Sequence, residues 1–187
     1  MVSGFINGAL SVDLPITSQQ NLGNGLSLIQ TKTASTSANL SFTTGIATPY
    51  VNFMFVINQI VPSTGTPTFG MQVSTNGGSS YIGSGYTTGV NTNPYNSTTL
   101  TNTNSTSNLI LSPAITGSPG VSGVIFCFNV TGATGVTFAG YGSTQLAALN
   151  LTQIVGSSTA TAVNAFQFTM SSGNIASGSI SLYGFLQ

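Results

Sequence analysis

Few residues in this 187-residue chain could take part in chemistry. The ionisable side chains are Asp13, Lys32, Cys127 and six tyrosines, with no histidine. General acid–base catalysis needs a positioned His, carboxylate, Lys, Tyr or Cys. A single carboxylate cannot form the pair that glycoside hydrolysis uses, and a Ser-His-Asp triad lacks its base. Zinc has no ligand set. A calcium site would rest on Asp13 and carbonyls, whereas tight sites gather several carboxylates. A Ser–Lys pair would have to use Lys32, which lies in the polar run QTKTAST and reads as a solvated lysine. Cys127, in SGVIFCFNV, reads as a buried small hydrophobe, without the His or basic neighbour that would activate a thiolate. The glycine-rich runs STNGGSS and TGATG are not followed by the lysine and helix of a phosphate loop. The sequence therefore supplies no catalytic residue, no metal site and no cofactor, and reads as a non-enzyme.

Binding remains open to such a chain. Tyr95 lies in the polar tract NTNPYNST beside Asn91, Asn93 and Asn96. An exposed ring among amides suits contact with a ligand or a host surface, so these four are the candidate contact residues. The other tyrosines read as half-buried strand residues.

The elements that would position these groups are all strands. Only 1% of residues are charged, against about 25% in an average soluble domain. Apolar residues still make up 40%, enough for a folded core. One lysine cannot neutralise phosphates, which excludes nucleic acid, nor can it build a polybasic membrane anchor. The longest apolar run, 121–130, is broken by Ser122, Gly123 and Asn129 and is about half the length of a transmembrane helix. The opening residues lack a basic region and an unbroken apolar core, so no secretory signal is expected. A neutral surface does not repel its own copies, which suits dense assembly into a homo-oligomer.

Strand signals are regular from residue 38. They comprise ANLSF, then YVNFMFVINQIV with Val51, Phe53, Phe55 and Ile57 on one face, and FGMQVST with Phe69, Met71 and Val73 inward. Asn76-Gly77-Gly78 predicts a hairpin with a return strand over 79–86. Residues 87–108 read as a long polar surface loop with a partial strand near 97–103. LILSPAITGSPG gives a short strand and a Pro/Gly turn, and further strands fall at 122–131, 135–142, 146–156, 163–172 and 177–187, with 122–131 apolar on both faces. The reading is an all-β, antiparallel, jelly-roll-like β-sandwich of about 8–10 strands. Residues 1–37 form an N-terminal arm or hairpin extension and residues 38–187 the sandwich. Within the arm, Leu14, Leu26, Ile29 and Lys32 are the candidate assembly contacts. Asp13 reads as a turn residue or as a partner for Lys32 in a neighbouring subunit.

Two stretches, FGMQVSTNGGSSYIGSGY (69–86) and SSGNIASGSISLYGFLQ (171–187), carry the patterns S-x-D/N-G-G-x-x-Y and SG-x-I-x-x-G-x-I-x-LYG. PGVSGVIFCFNV lies between them in the position of a G-x-S-G strand. Together they resemble the small β-sandwich virion proteins and fibre-tip domains of tailed bacteriophages, over residues 38–187. Asn76 stands where an Asp is common in that family, and the usual surface charges are missing. The resemblance implies a virion structural protein made in the bacterial cytoplasm. It would be a capsid decoration (cement) protein, often a trimer, bound to the major capsid protein or to tail proteins. The alternatives are a receptor-binding tail-fibre or baseplate tip and a carbohydrate-binding adhesion module.

Overall fold

Side chains that alternate between buried and exposed mark a strand with one face inward, and the pattern runs through most of the chain. A computed structural model, which describes residues 25–145 and 148–186, forms twelve strands from it, with no helix among the described residues. They are β1 (Leu26–Thr33), β2 (Asn39–Phe42), β3 (Phe53–Pro62), β4 (Phe69–Ser74), β5 (Tyr86–Pro94), β6 (Thr101–Ser105), β7 (Leu109–Ser112), β8 (Val121–Phe128), β9 (Val136–Gln145), β10 (Leu149–Ser158), β11 (Ala165–Met170) and β12 (Ile175–Phe185). All pair antiparallel, in one sheet ordered β1-β12-β3-β8-β9-β10-β5-β6 and another ordered β2-β11-β4-β7.

The order divides the molecule in two. Strands β1-β12-β3-β8 face β2-β11-β4-β7 as an eight-stranded jelly roll. The remaining four, β9-β10-β5-β6, extend the larger sheet beyond its partner. They come from two excursions, β5–β6 between β4 and β7, and β9–β10 between β8 and β11. The fold is thus the expected antiparallel sandwich, with twelve strands instead of eight to ten.

Aromatic rings fill the jelly roll. Phe55 from the larger sheet packs edge-on against Phe42, Phe166 and Phe168 of the smaller one, at centroid distances of 5.2, 5.0 and 4.9 Å. Such pairs are each worth about 0.5–1.5 kcal/mol beyond the area they bury. Glycines mark the seam with the extension. Gly123 on β8 lies opposite Gly142 on β9, and Gly140 lies opposite Ile125. A Cβ at Gly140 or Gly142 would collide with the Val124 or Ser122 carbonyl oxygen, so these strands approach too closely for a side chain.

Two local expectations need correction. Gly77 and Gly78 do adopt positive φ, 71° and 86°, but no return strand follows, and the next strand, β5, joins the other sheet. Side chains hold the turn instead. Gly77 N–H donates to Asn164 Oδ1 (2.8 Å), and Ser80 N–H donates to Asn76 Oδ1 (3.0 Å). Val73 N–H, which a return strand could have bonded, donates to the Tyr86 hydroxyl at 2.9 Å. The tract 87–108, read as a loop, is mostly the β5–β6 ribbon. Its inward side is Tyr86, Thr88, Val90 and Thr92, all buried. Thr88 Oγ1 donates to the Ser105 and Asn108 carbonyls, and Thr92 Oγ1 to Thr101, so the hydroxyls are buried with partners.

The described part of the 1–37 segment lies within the sandwich. Strand β1 is the edge of the larger sheet, pairing from Leu26↔Phe185 to Thr33↔Ser179. The Lys32–Thr33 bond therefore lies inside a paired strand. Asp13 and Leu14 lie outside the described residues.

Candidate functional site

The four candidate contact residues do not converge. Tyr95 stands at the turn after β5 with 77% of its surface exposed, and its N–H donates to the Leu149 carbonyl (3.1 Å). Asn93 is committed to that turn: its amide nitrogen donates to the Pro94 and Ser97 carbonyls at 3.2 and 2.8 Å. Asn96 is exposed beside Tyr95. Asn91 lies back along β5, opposite Gln153 and Asn102 on the neighbouring strands.

The arm candidates separate as well. Leu26 precedes a bulge in β1 and is exposed, whereas Ile29 is the extra residue at the bulge and packs against the core. Lys32 is half-buried opposite Ile180. Cys127 is fully buried on the inner face of β8, and burial pushes its thiol pKa far up, so it packs as a hydrophobe.

The registers bring other residues together on the outer face of the larger sheet, which the small sheet does not cover. One row crosses the strands as Leu28, Tyr183, Met54, Phe126, Ala139, Val155 and Gly89. The next runs Thr31, Ser181, Val56, Val124, Tyr141, Gln153, Asn91 and Asn102. Seven exposed large apolar residues fall on this face: Leu26, Leu28, Phe128, Tyr141, Leu149, Leu151 and Val155.

The two halves of the face differ in chemistry. Over the jelly roll it is aromatic. The Phe126 ring lies 6.3 Å from those of Phe128 and Phe185, near-parallel to the first at 15°. Met54, Val56, Val124 and Tyr183 are only half-buried around them. Over the extension the face combines exposed Tyr141, Leu149, Leu151 and Val155 on β9 and β10 with amides, Gln153, Asn91, Asn102 and Asn104, on three adjacent strands. Apolar residues on both sides of a strand signalled full burial in the sequence. In β8 the second set instead forms this outer surface, and that signal alone could have located it; Met54 and Val56 of β3, where only the inward set was read from the sequence, join it.

A polar notch of about 250 Å³ opens where β3 and β12 bulge, lined by Asn58, Gln59, Ser118 and Ser177 among others. Gln59 there has a φ of 49°, and its N–H donates to Ser122 Oγ (3.0 Å), so the kink is secured from within the sheet.

No family model, curated protein or solved structure matches the chain.

Proposed function

We propose that this chain is a non-enzymatic structural subunit of a tailed-bacteriophage virion, a decoration protein that packs as a homo-oligomer, with a trimer the expected order, against the major capsid protein. The observation that carries this reading is the aromatic half of the outer face. Phe126, Phe128 and Phe185 form a ring cluster at a surface whose neighbours are uncharged. Monomeric soluble proteins rarely leave contiguous apolar surface uncovered unless it meets a partner. A surface without charge also loses little on being desolvated against another protein. The jelly-roll order and the three sequence patterns that resemble phage virion proteins support the virion setting. Particles purified from the source phage provide the test. Copies in the hundreds per particle are expected by quantitative mass spectrometry, and absence from the particle would overturn the reading.

One observation favours a second reading, a receptor-binding tip. Tyr95 projects from the end of the β5–β6 ribbon at 77% exposure. Replacing residues 95–100 by a Gly/Ser loop would abolish host adsorption on this reading and leave it unchanged on the first.

A further inference from the structure

The amide half of the outer face has no part in the packing role proposed above, and its chemistry differs from that of the aromatic half. Tyr141 on β9 is 59% exposed and stands at the seam between the halves. Across the next three strands its row continues as Gln153, Asn91 and Asn102. Four strands at about 4.8 Å spacing make a strip about 14 Å long. Asn102 Nδ2 donates to Asn91 Oδ1 at 2.8 Å, which fixes two of the amides to each other. Asn91 Nδ2, Asn102 Oδ1 and both ends of the Gln153 amide have no protein partner among the described residues.

The strip has a floor. Gly89 opposes Val155 and Asn104 on its neighbours and leaves a dip where a side chain would stand. A Cβ there would lie 3.4 Å from Asn104 Oδ1, 3.6 Å from Asn102 Nδ2 and 3.9 Å from Val155 Cγ1. Two amides and an aliphatic group thus converge over one shallow depression, with the exposed Tyr141 ring two strands away in the adjoining row.

From this arrangement we infer that the strip binds a neutral polysaccharide, laid across β9, β10, β5 and β6. An aromatic face accepts the C–H side of a pyranose ring, and amides match its hydroxyls as both donor and acceptor. An open strip of this length suits a chain lying along it. Charge selects among glycans: the only described charged side chain, Lys32, is on the opposite edge strand, so acidic sugars find no cation here.

Affinity electrophoresis of the full-length protein through soluble β-glucan, mannan, galactan and alginate tests this. Retardation by at least one neutral polymer is expected. Tyr141→Ala should weaken it at least tenfold. Gly89→Leu, which fills the dip but keeps every amide, should abolish it. Tyr95→Ala should leave it unchanged. Tyr141 is exposed and Gly89 lies on the outer face, so circular dichroism should match that of the wild type. Retardation by alginate alone, by no polymer, or equally in wild type and Tyr141→Ala would overturn the inference. So would its loss in Tyr95→Ala, which would move the site to the ribbon tip. Sedimentation separates the two proposals: a wild type that assembles as an oligomer but is retarded by no neutral polymer counts against this one alone, and loss of glycan binding in Tyr141→Ala with an unchanged oligomer supports it.

Discussion

The jelly roll and its four-stranded extension share one eight-stranded sheet but have different interiors. The jelly roll buries Phe42, Phe53, Phe55, Phe166 and Phe168, with Ile57, Ile180 and Leu182 around them. The inner face of the extension includes Thr88, Thr92, Thr144, Asn150 and Thr152, all buried, and β7 is the main strand covering it. Ser112 on β7 meets Thr144 through a 2.8 Å hydroxyl–hydroxyl bond. Apolar burial at roughly 25 cal/mol per Å² stabilises the first region. The second also buries Val90, Val136, Phe138 and Ile154, but mixes them with hydroxyls that must each find a partner, where a net bond contributes only about 1 kcal/mol. One hydroxyl there, Thr152 Oγ1, is buried without a partner. The stable half carries the scaffold, and the polar half is where the outer face turns to amides.

The largest effect should come from the centre of the jelly roll. Phe55→Ala removes three ring contacts and leaves a cavity, so it should destabilise the protein by about 3–5 kcal/mol in a denaturant titration. A cost under about 1 kcal/mol would mean that the aromatic cluster does not anchor the fold. Next comes Thr152→Val, a replacement of similar shape that deletes the unpartnered hydroxyl. It should raise stability by about 1 kcal/mol, and a loss of that size would show the hydroxyl to be bonded. The smallest effect concerns pH. No histidine or glutamate is present, so the melting temperature should be flat between about pH 5 and 8, below the range in which the thiol of Cys127 titrates in the unfolded chain. Tyr86, on the first strand of the extension, has its pKa raised by burial, partly offset by the hydrogen bond from Val73 N–H. A raised folded-state value favours the neutral ring. Its contribution is therefore fully present below the ordinary value of 10.0 and lost as pH rises through the folded value. Tyr86→Phe should remove the part of the decline near and above pH 10, and Cys127→Ala the part that begins at lower pH, because burial also holds that thiol neutral. A steep melting profile near neutrality would contradict the charge-poor account.

The jelly roll was far more legible in the sequence than the extension. Runs such as Phe53-Met-Phe-Val-Ile and Ala165-Phe-Gln-Phe announce strands because apolar side chains recur at period two. The β5–β6 ribbon hides the same period under Thr and Asn, whose burial depends on carbonyl partners supplied from other strands. The turn at Asn76-Gly77-Gly78 was recognisable, but its glycines do not say which sheet the chain joins next. Asn164, 87 residues further on, helps decide that by accepting from Gly77 N–H. Of the four tip candidates, Asn91 joined a different surface because one-residue registers across three strands place it there. No local pattern encodes that.

Sedimentation velocity of the full-length protein beside a Phe126→Asn/Phe128→Asn variant tests the packing role most directly. The account predicts a wild-type oligomer at micromolar concentration and a monomeric variant with an unchanged melting temperature. A monomeric wild type, or a variant that assembles as the wild type does, would contradict it.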